Sequence, residues 1–268
     1  MKKYLHVISI GIQNTLVYRL NYLARVLFGF VPLMATIFLW RAVYASKEGG
    51  GAIGAYSLGA MTSYYVLVTI VDALTAVSED DWQIAADIKD GNISQFLLKP
   101  LDYLAYRACL FLSGRLIYTG VALLPVIGFV FFLREFFVLP ADLGTFAWFL
   151  VSVALAAALT FLISYTMALL AFWVTEVSTF IFIEYAFEYV ASGHLFPLDI
   201  LPPAFKAFLG LTPFPYMLYF PVSVYLGQAA GGALGRGLLI QAGWVALAYG
   251  AARWVWGRGV RHYSAVGG

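Results

Sequence analysis

Long apolar runs separated by short polar clusters set the pattern of this chain, and the lengths of those runs match membrane crossings. A hydrocarbon layer about 30 Å thick takes roughly 20 mainly apolar residues per helix. Six runs meet that description, at about residues 23–44, 56–77, 106–133, 143–175, 177–195 and 237–255. Pro32 is placed to kink the first. The fourth carries no charge; it exceeds one crossing but falls short of the roughly 40 residues that two crossings and a turn need, so it reads as one long or tilted helix. Ahead of the first run, Leu5, Ile8, Ile12 and Leu16 recur at helical spacing opposite His6, Ser9 and Gln13. That pattern fits an amphipathic helix within residues 1–22 lying in the membrane interface, and fits an extension of the first crossing equally well. The expected fold class is an all-α membrane protein forming a single domain over residues 1–268.

Composition sharpens this picture. Of 268 residues, 62% are hydrophobic and 11% charged, whereas soluble domains run at about 45–50% apolar and about 25% charged. Such a chain buries its surface in lipid. A net charge of +2 gives no basis for nucleic-acid binding, and the lone Cys109 excludes an internal disulfide framework. An even number of crossings puts both termini on one side. Lys2, Lys3, Arg19, Arg25, Lys89, Lys99, Arg107, Arg253, Arg258 and Arg261 fall on that side, against Arg41, Lys47, Arg134, Lys206 and Arg236 on the other, so the termini are expected in the cytoplasm.

Between the second and third runs lies a polar cytoplasmic segment, residues 78–103. Ser78 is placed to cap a helix with an acidic first turn, and Gly91 to end it in a left-handed conformation. Trp82, Ile84, Ala85 and Ile88 are expected to pack on the membrane domain, leaving Asp81, Asp87 and Lys89 toward a partner. Composition alone fits a solvated connection equally well. A second unusual segment, residues 196–227, holds Pro197, Pro202, Pro203, Pro213 and Pro215, which no continuous helix can accommodate. Yet Phe205, Phe208, Leu211, Phe214 and Tyr216 make it too apolar for a free loop. Short helices dipping back into the outer membrane layer reconcile both facts.

Ile88-Lys89-Asp90-Gly91-Asn92-Ile93, followed by Leu97-Leu98-Lys99-Pro100-Leu101-Asp102, resembles the coupling region of ABC exporter permeases of the second membrane-protein type. Ser192-Gly193-His194-Leu195-Phe196-Pro197-Leu198-Asp199-Ile200-Leu201-Pro202-Pro203, running on to Thr212-Pro213-Phe214-Pro215-Tyr216, resembles the segment after the fifth span in one bacterial branch of that family. The resemblance implies a type V exporter domain in the bacterial inner membrane. It would have an interfacial amino-terminal helix and a coupling helix carrying Asp81, Trp82, Asp87, Ile88, Lys89, Asp90 and Gly91. Re-entrant helices would follow span five. It also implies two copies of an ABC ATPase subunit, holding ATP and magnesium, and a second permease that is either the same chain or a related one. The chain contains no Gly-Lys dipeptide and hence no phosphate-cradling P-loop, which agrees with a separate motor and with no catalytic residue here.

Ionisable residues inside the apolar runs complete the picture, since each costs at least about 2.5–3.5 kcal/mol to insert and normally faces a cavity or a partner. Glu184 and Glu188, one turn apart, are expected to line the translocation path, with Arg115 as an ion-pair partner and Tyr185 and Tyr189 against a substrate. A structural contact between helices explains them equally well. Asp72 lies near the cytoplasmic end of its run and reads as a packing or interfacial group. Gly227, Gly231 and Gly235 read as a flexible link. The expected substrate is an amphiphile: a lipid, glycolipid, drug or hydrophobic peptide. The alternatives are a proton-coupled transporter or an intramembrane enzyme using the two glutamates. His6, His194 and His262 lie far apart on different expected sides, so no metal site is expected.

Overall fold

A computed structural model describes residues 2–17, 19–46, 52–77, 80–132, 134 and 137–263. Helices α1 (Lys2–Val17), α2 (Arg19–Ser46) and α3 (Leu58–Thr75) lead to two short ones, α4 (Asp80–Lys89) and α5 (Ile93–Leu97). Then come α6 (Tyr103–Phe132), α7 (Leu143–Ala168), which tightens into a 3-10 turn over Leu169–Phe172, and α8 (Ser178–Ala191). The short α9 (Pro203–Leu209) and α10 (Tyr219–Tyr225) precede the long α11 (Gly231–His262). Each of the six expected apolar runs is helical over most of its length, although Leu133 at the end of the third lies outside the described residues, as do Ser78 and Glu79. Among the described residues three helices are individually long and apolar enough to cross a membrane, Leu27–Ser46, Leu58–Thr75 and Leu143–Phe172. The two parts of α6, bent by 44° ahead of Pro125, make a fourth when counted as one.

Helix starts follow local chemistry. The Ser57 hydroxyl accepts the Ala60 amide at 3.2 Å, and Asp142 accepts the Thr145 amide at 2.7 Å, so two of the helices long and apolar enough to cross a membrane begin at side-chain caps. Asp102 does the same for α6 through the Ala105 amide at 2.9 Å and pairs with Arg253 of α11. Burial pushes the Asp102 carboxyl up, but the Ala105 amide and the Arg253 guanidinium outweigh it and hold the group below its ordinary value. A carboxyl lowered in the folded state adds stability above its unfolded value, near pH 4, and loses it as pH falls further. Thermal melts between pH 7 and pH 5 should therefore be alike for the native chain and for Asp102→Asn in their slope against pH.

Helix α3 is buried nearly all round, packed by α2, α6, α7 and α10, as an apolar helix without a polar face must be. Two large apolar clusters form the core: one joins α2, α3, the start of α7 and α10, and the other joins α4, α5, the start of α6, the end of α7 and α11. Helix α1 lies along the start of α6, where a Cβ on Gly11 would stand 2.8 Å from the Ser113 side chain. It ends at Val17, so 19–22, expected in the interfacial segment, belong to α2.

Helix α11 begins at Gly231 rather than 237, and Gly235 sits inside it. The glycines read as a flexible link are therefore helical from Gly231 onward, because packing of α11 on α7 outweighs the modest helix penalty of glycine. Gly237 has a specific use: a Cβ there would lie 2.1 Å from the buried Phe220 ring of α10. Gly237→Val should cost about 1–3 kcal/mol through overpacking, read as a lowered midpoint in a thermal melt. Four residues on, the fully buried Gln241 donates to the Ser152 and Tyr216 carbonyls, both at 2.9 Å, and accepts from the Ser152 hydroxyl at 3.0 Å. One amide thus joins α11, α7 and the turn before α10.

Candidate functional site

Helix α4 presents two different faces. Asp81, Ile84, Ala85 and Ile88 fall at three- and four-residue spacing and are all buried, against the end of α7 and the start of α8. Trp82, Ala86 and Lys89 form the opposite stripe, with Trp82 44% exposed, and Asp90 is exposed beside them. Gly91 ends the helix at φ +78°, a conformation that favours glycine. Asp81, 1% exposed, accepts the Tyr185 hydroxyl of α8. Asp87 accepts the Tyr103 hydroxyl at 2.8 Å and pairs with Arg107 of α6. Arg107 in turn donates to Tyr103 at 3.0 Å and to Gln83 at 3.3 Å.

This corrects the expected facing of α4. Asp81 and Asp87 point inward and Trp82 outward, because the carboxylates find buried donors on α6 and α8 that repay their loss of water. An indole half in solvent costs far less than either carboxylate left without partners. Lys89 faces outward as expected, and Asp90 beside it is exposed as well.

The short α8 shapes the interior. Its 14 residues span about 21 Å at ~1.5 Å per residue, less than the ~30 Å hydrocarbon layer. The chain after it therefore turns inside the bundle: Tyr64 and Tyr65 of α3 donate to the Gly193 and Leu195 carbonyls, both at 2.6 Å, and the Tyr219 amide donates to Ser192 at 3.0 Å. Gly193, at φ +102°, leaves room that a Cβ would take from the Tyr64 hydroxyl. His194 thereby reaches Asp72, Nε2 to Oδ1 3.4 Å, with Nδ1 2.7 Å from the Ser192 hydroxyl and its ring stacked on Tyr189. Sequence reading placed these two residues at opposite ends of the membrane; the shortness of α8 brings them together.

Asp72, His194 and Tyr189 stand where two cavities meet. The smaller, about 220 Å³, lies between α3, α7 and α8 and is also lined by Glu188, Tyr185, Thr160 and Ser164. The larger, about 360 Å³, lies between α2, α3 and α6 and is walled by Phe30, Leu33, Val68, Ala122 and Arg115. Glu188 borders only the first and Arg115 only the second. Arg115 donates to the Ala73 carbonyl at 3.3 Å and lies over the Tyr118 ring. Glu184 is 8% exposed, and among the described residues neither of its oxygens has a hydrogen-bond partner. The ion pair expected between Arg115 and the two glutamates is not formed among the described residues: Glu184 has no hydrogen-bond partner, Glu188 borders the other cavity, and Arg115 faces α3 from the α6 side. Thr160 and Ser164 carry no charge and share α7 with other hydroxyl residues such as Ser152 and Thr166, so only their spacing of one turn sets them apart in the sequence.

The prolines after α8 mark starts of short helices. Pro197 precedes the 3-10 turn Leu198–Ile200, Pro202 and Pro203 open α9, and Pro213 precedes the turn Phe214–Tyr216, in which Pro215 is buried. Helix α10 is buried along most of its length against α7 and α3, whereas α9 leaves Phe205 and Phe208 exposed. Asp199 ties the segment together, accepting from Tyr219 and Tyr56 and pairing with Lys206.

No curated protein matches the chain significantly. A family model described as ABC-2 family transporter protein matches residues 30–267. Members of that family are membrane components that normally work with an ATPase carried on a separate subunit. The matched region takes in the latched helix α4, both cavities and the proline-marked segment, and the chain accordingly belongs to the ABC-2 family of transporter proteins.

Proposed function

We propose that this chain is the permease of an ATP-driven exporter of amphiphiles in the bacterial inner membrane. In this reading the fold is the type V arrangement: α2, α3, α6, α7, α8 and α11 cross, both termini and α4 are cytoplasmic, and α9 and α10 re-enter from outside. The short α8 fits, since α10 occupies the depth that α8 does not reach. Two copies of an ABC ATPase hold ATP and magnesium, and a second permease, the same chain or a relative, completes the pathway.

The observation that carries this reading is the double attachment of α4. Asp81 bonds α8 through Tyr185, and Asp87 bonds α6 through Tyr103 and Arg107. A push on the exposed Trp82 face therefore reaches two crossings at once, through buried polar contacts. α3 and α8 then part and close around the cavities, by alternating exposure or by peristaltic extrusion.

The test is coexpression with an ABC ATPase, copurification, and ATP-dependent export of a fluorescent amphiphile from proteoliposomes. Glu184→Gln with Glu188→Gln should lower export about tenfold through loss of two ionisable groups inside the bundle, while leaving the complex assembled. Unchanged export removes the glutamates from the path. Transport driven by a proton gradient without the ATPase would instead establish the proton-coupled alternative.

A further inference from the structure

We propose that the cavity between α3, α7 and α8 receives the ammonium group of a cationic amphiphile, whose apolar chain lies in the adjoining cavity between α2, α3 and α6. The inference rests on the export reading and narrows its substrate class.

Three features of the smaller cavity point to a cation. Its carboxylates come from two helices, Asp72 of α3 and Glu188 of α8, and among the described residues no ion pair with a Lys or Arg side chain reaches Glu188. Its aromatic lining, Tyr185 and Tyr189, supplies the negatively polarised faces that attract organic ammonium groups. Thr160 and Ser164, 4% and 3% exposed, line it with hydroxyl oxygens that have no hydrogen-bond partner among the described residues. Buried hydroxyls without partners carry a cost that a bound group relieves. These two sit on α7, which contributes no charge, so they are independent of the acidic residues.

Size and shape argue against a bare metal ion. Among the described residues no three His, Cys, Asp or Glu side chains stand close enough to hold one. The space of about 220 Å³ far exceeds the roughly 10–15 Å³ needed by a single water. With the adjoining cavity it enters the range of about 300–1,000 Å³ typical of organic-ligand pockets. The adjoining cavity supplies the apolar half, through Phe30, Leu33, Val68 and Ala122. Arg115 borders that apolar half only, and Asp72 borders both, so the carboxylate end is the one a positive head group enters. The stacked His194 and Tyr189 stand at the junction.

The test uses the full chain in nanodiscs of zwitterionic phosphatidylcholine, without ATPase or ATP. Radiolabelled dodecyltrimethylammonium is the probe, a neutral dodecyl ether of equal chain length is the comparison, and empty nanodiscs are subtracted. The native chain should bind the ammonium probe at least about tenfold more tightly than the ether, as carboxylate and aromatic contacts with a desolvated cation imply. Glu188→Gln should remove most of that preference, and Thr160→Val with Ser164→Ala should weaken binding of the probe while sparing the ether. Equal binding of the two probes by the native chain overturns the proposal, and does so without any variant that must fold. So does an unchanged preference in Glu188→Gln. Failure of the export reading looks different: the ammonium preference would persist while proteoliposomes with the ATPase export nothing.

Discussion

Replacing Arg107 with methionine is expected to uncouple the motor from the membrane path: ATP hydrolysis by the assembled complex continues while export falls about tenfold or more, since breaking a buried ion pair costs roughly 3–5 kcal/mol. Arg107 is 4% exposed and ties three groups at once, Asp87, Tyr103 and Gln83. Methionine keeps the apolar bulk between α4 and α6 but leaves the Asp87 carboxylate with the Tyr103 hydroxyl alone. The α4 to α6 attachment then loosens while the buried stripe Ile84, Ala85 and Ile88 still holds the helix in place. Arg107→Lys keeps the charge but not the fork of donors, so an intermediate loss is expected. Combining Arg107→Met with Asp87→Leu should recover part of the export, because removing both partners leaves no stranded charge. Export and hydrolysis measured together in proteoliposomes decide the matter. A parallel fall of both, matched by loss of complex on a sizing column, would mean that Arg107 serves assembly rather than transmission.

The opposite face of the same helix should behave in the opposite way. Trp82→Ala is expected to weaken ATPase binding about thirtyfold, in line with the ~2 kcal/mol that a tryptophan anchor contributes at an interface, read as a loss of copurification. The stability of the isolated permease should change by no more than about 0.5 kcal/mol, because Trp82 is 44% exposed and makes little of the core. Ala86→Glu, on the same stripe, should act in the same direction by placing a charge against the partner. Asp81→Asn and Asp87→Asn should leave ATPase binding nearly intact while impairing export. If the aspartates rather than Trp82 control ATPase binding, the assignment of faces is wrong.

Some of this architecture was legible because membrane insertion reads composition locally. Each apolar run became a helix, Gly91 ended α4 with positive φ, and the prolines from Pro197 to Pro215 broke the chain into short helices whose starts they mark. Helical spacing alone put Glu184 and Glu188 on one side of α8. The register of α4 was less accessible. Its stripe could be drawn through Trp82 or through Asp81, one position apart, and hydropathy favours the tryptophan. The choice went to Asp81 because Tyr185, more than a hundred residues away, offers a hydroxyl to a buried carboxylate.

The residues of the cavity illustrate the same division. Thr160 and Ser164 carry no charge and sit in an apolar helix, and Asp72 and His194 belong to segments that the sequence assigns to different depths. What the sequence by itself determined is which stretches form long apolar helices, since that depends on each segment's own composition. Which polar groups meet inside was decided by the tertiary structure: how far α8 reaches, and which side of α4 finds donors, depend on partners distant in the chain, and a buried charge settles wherever those partners are.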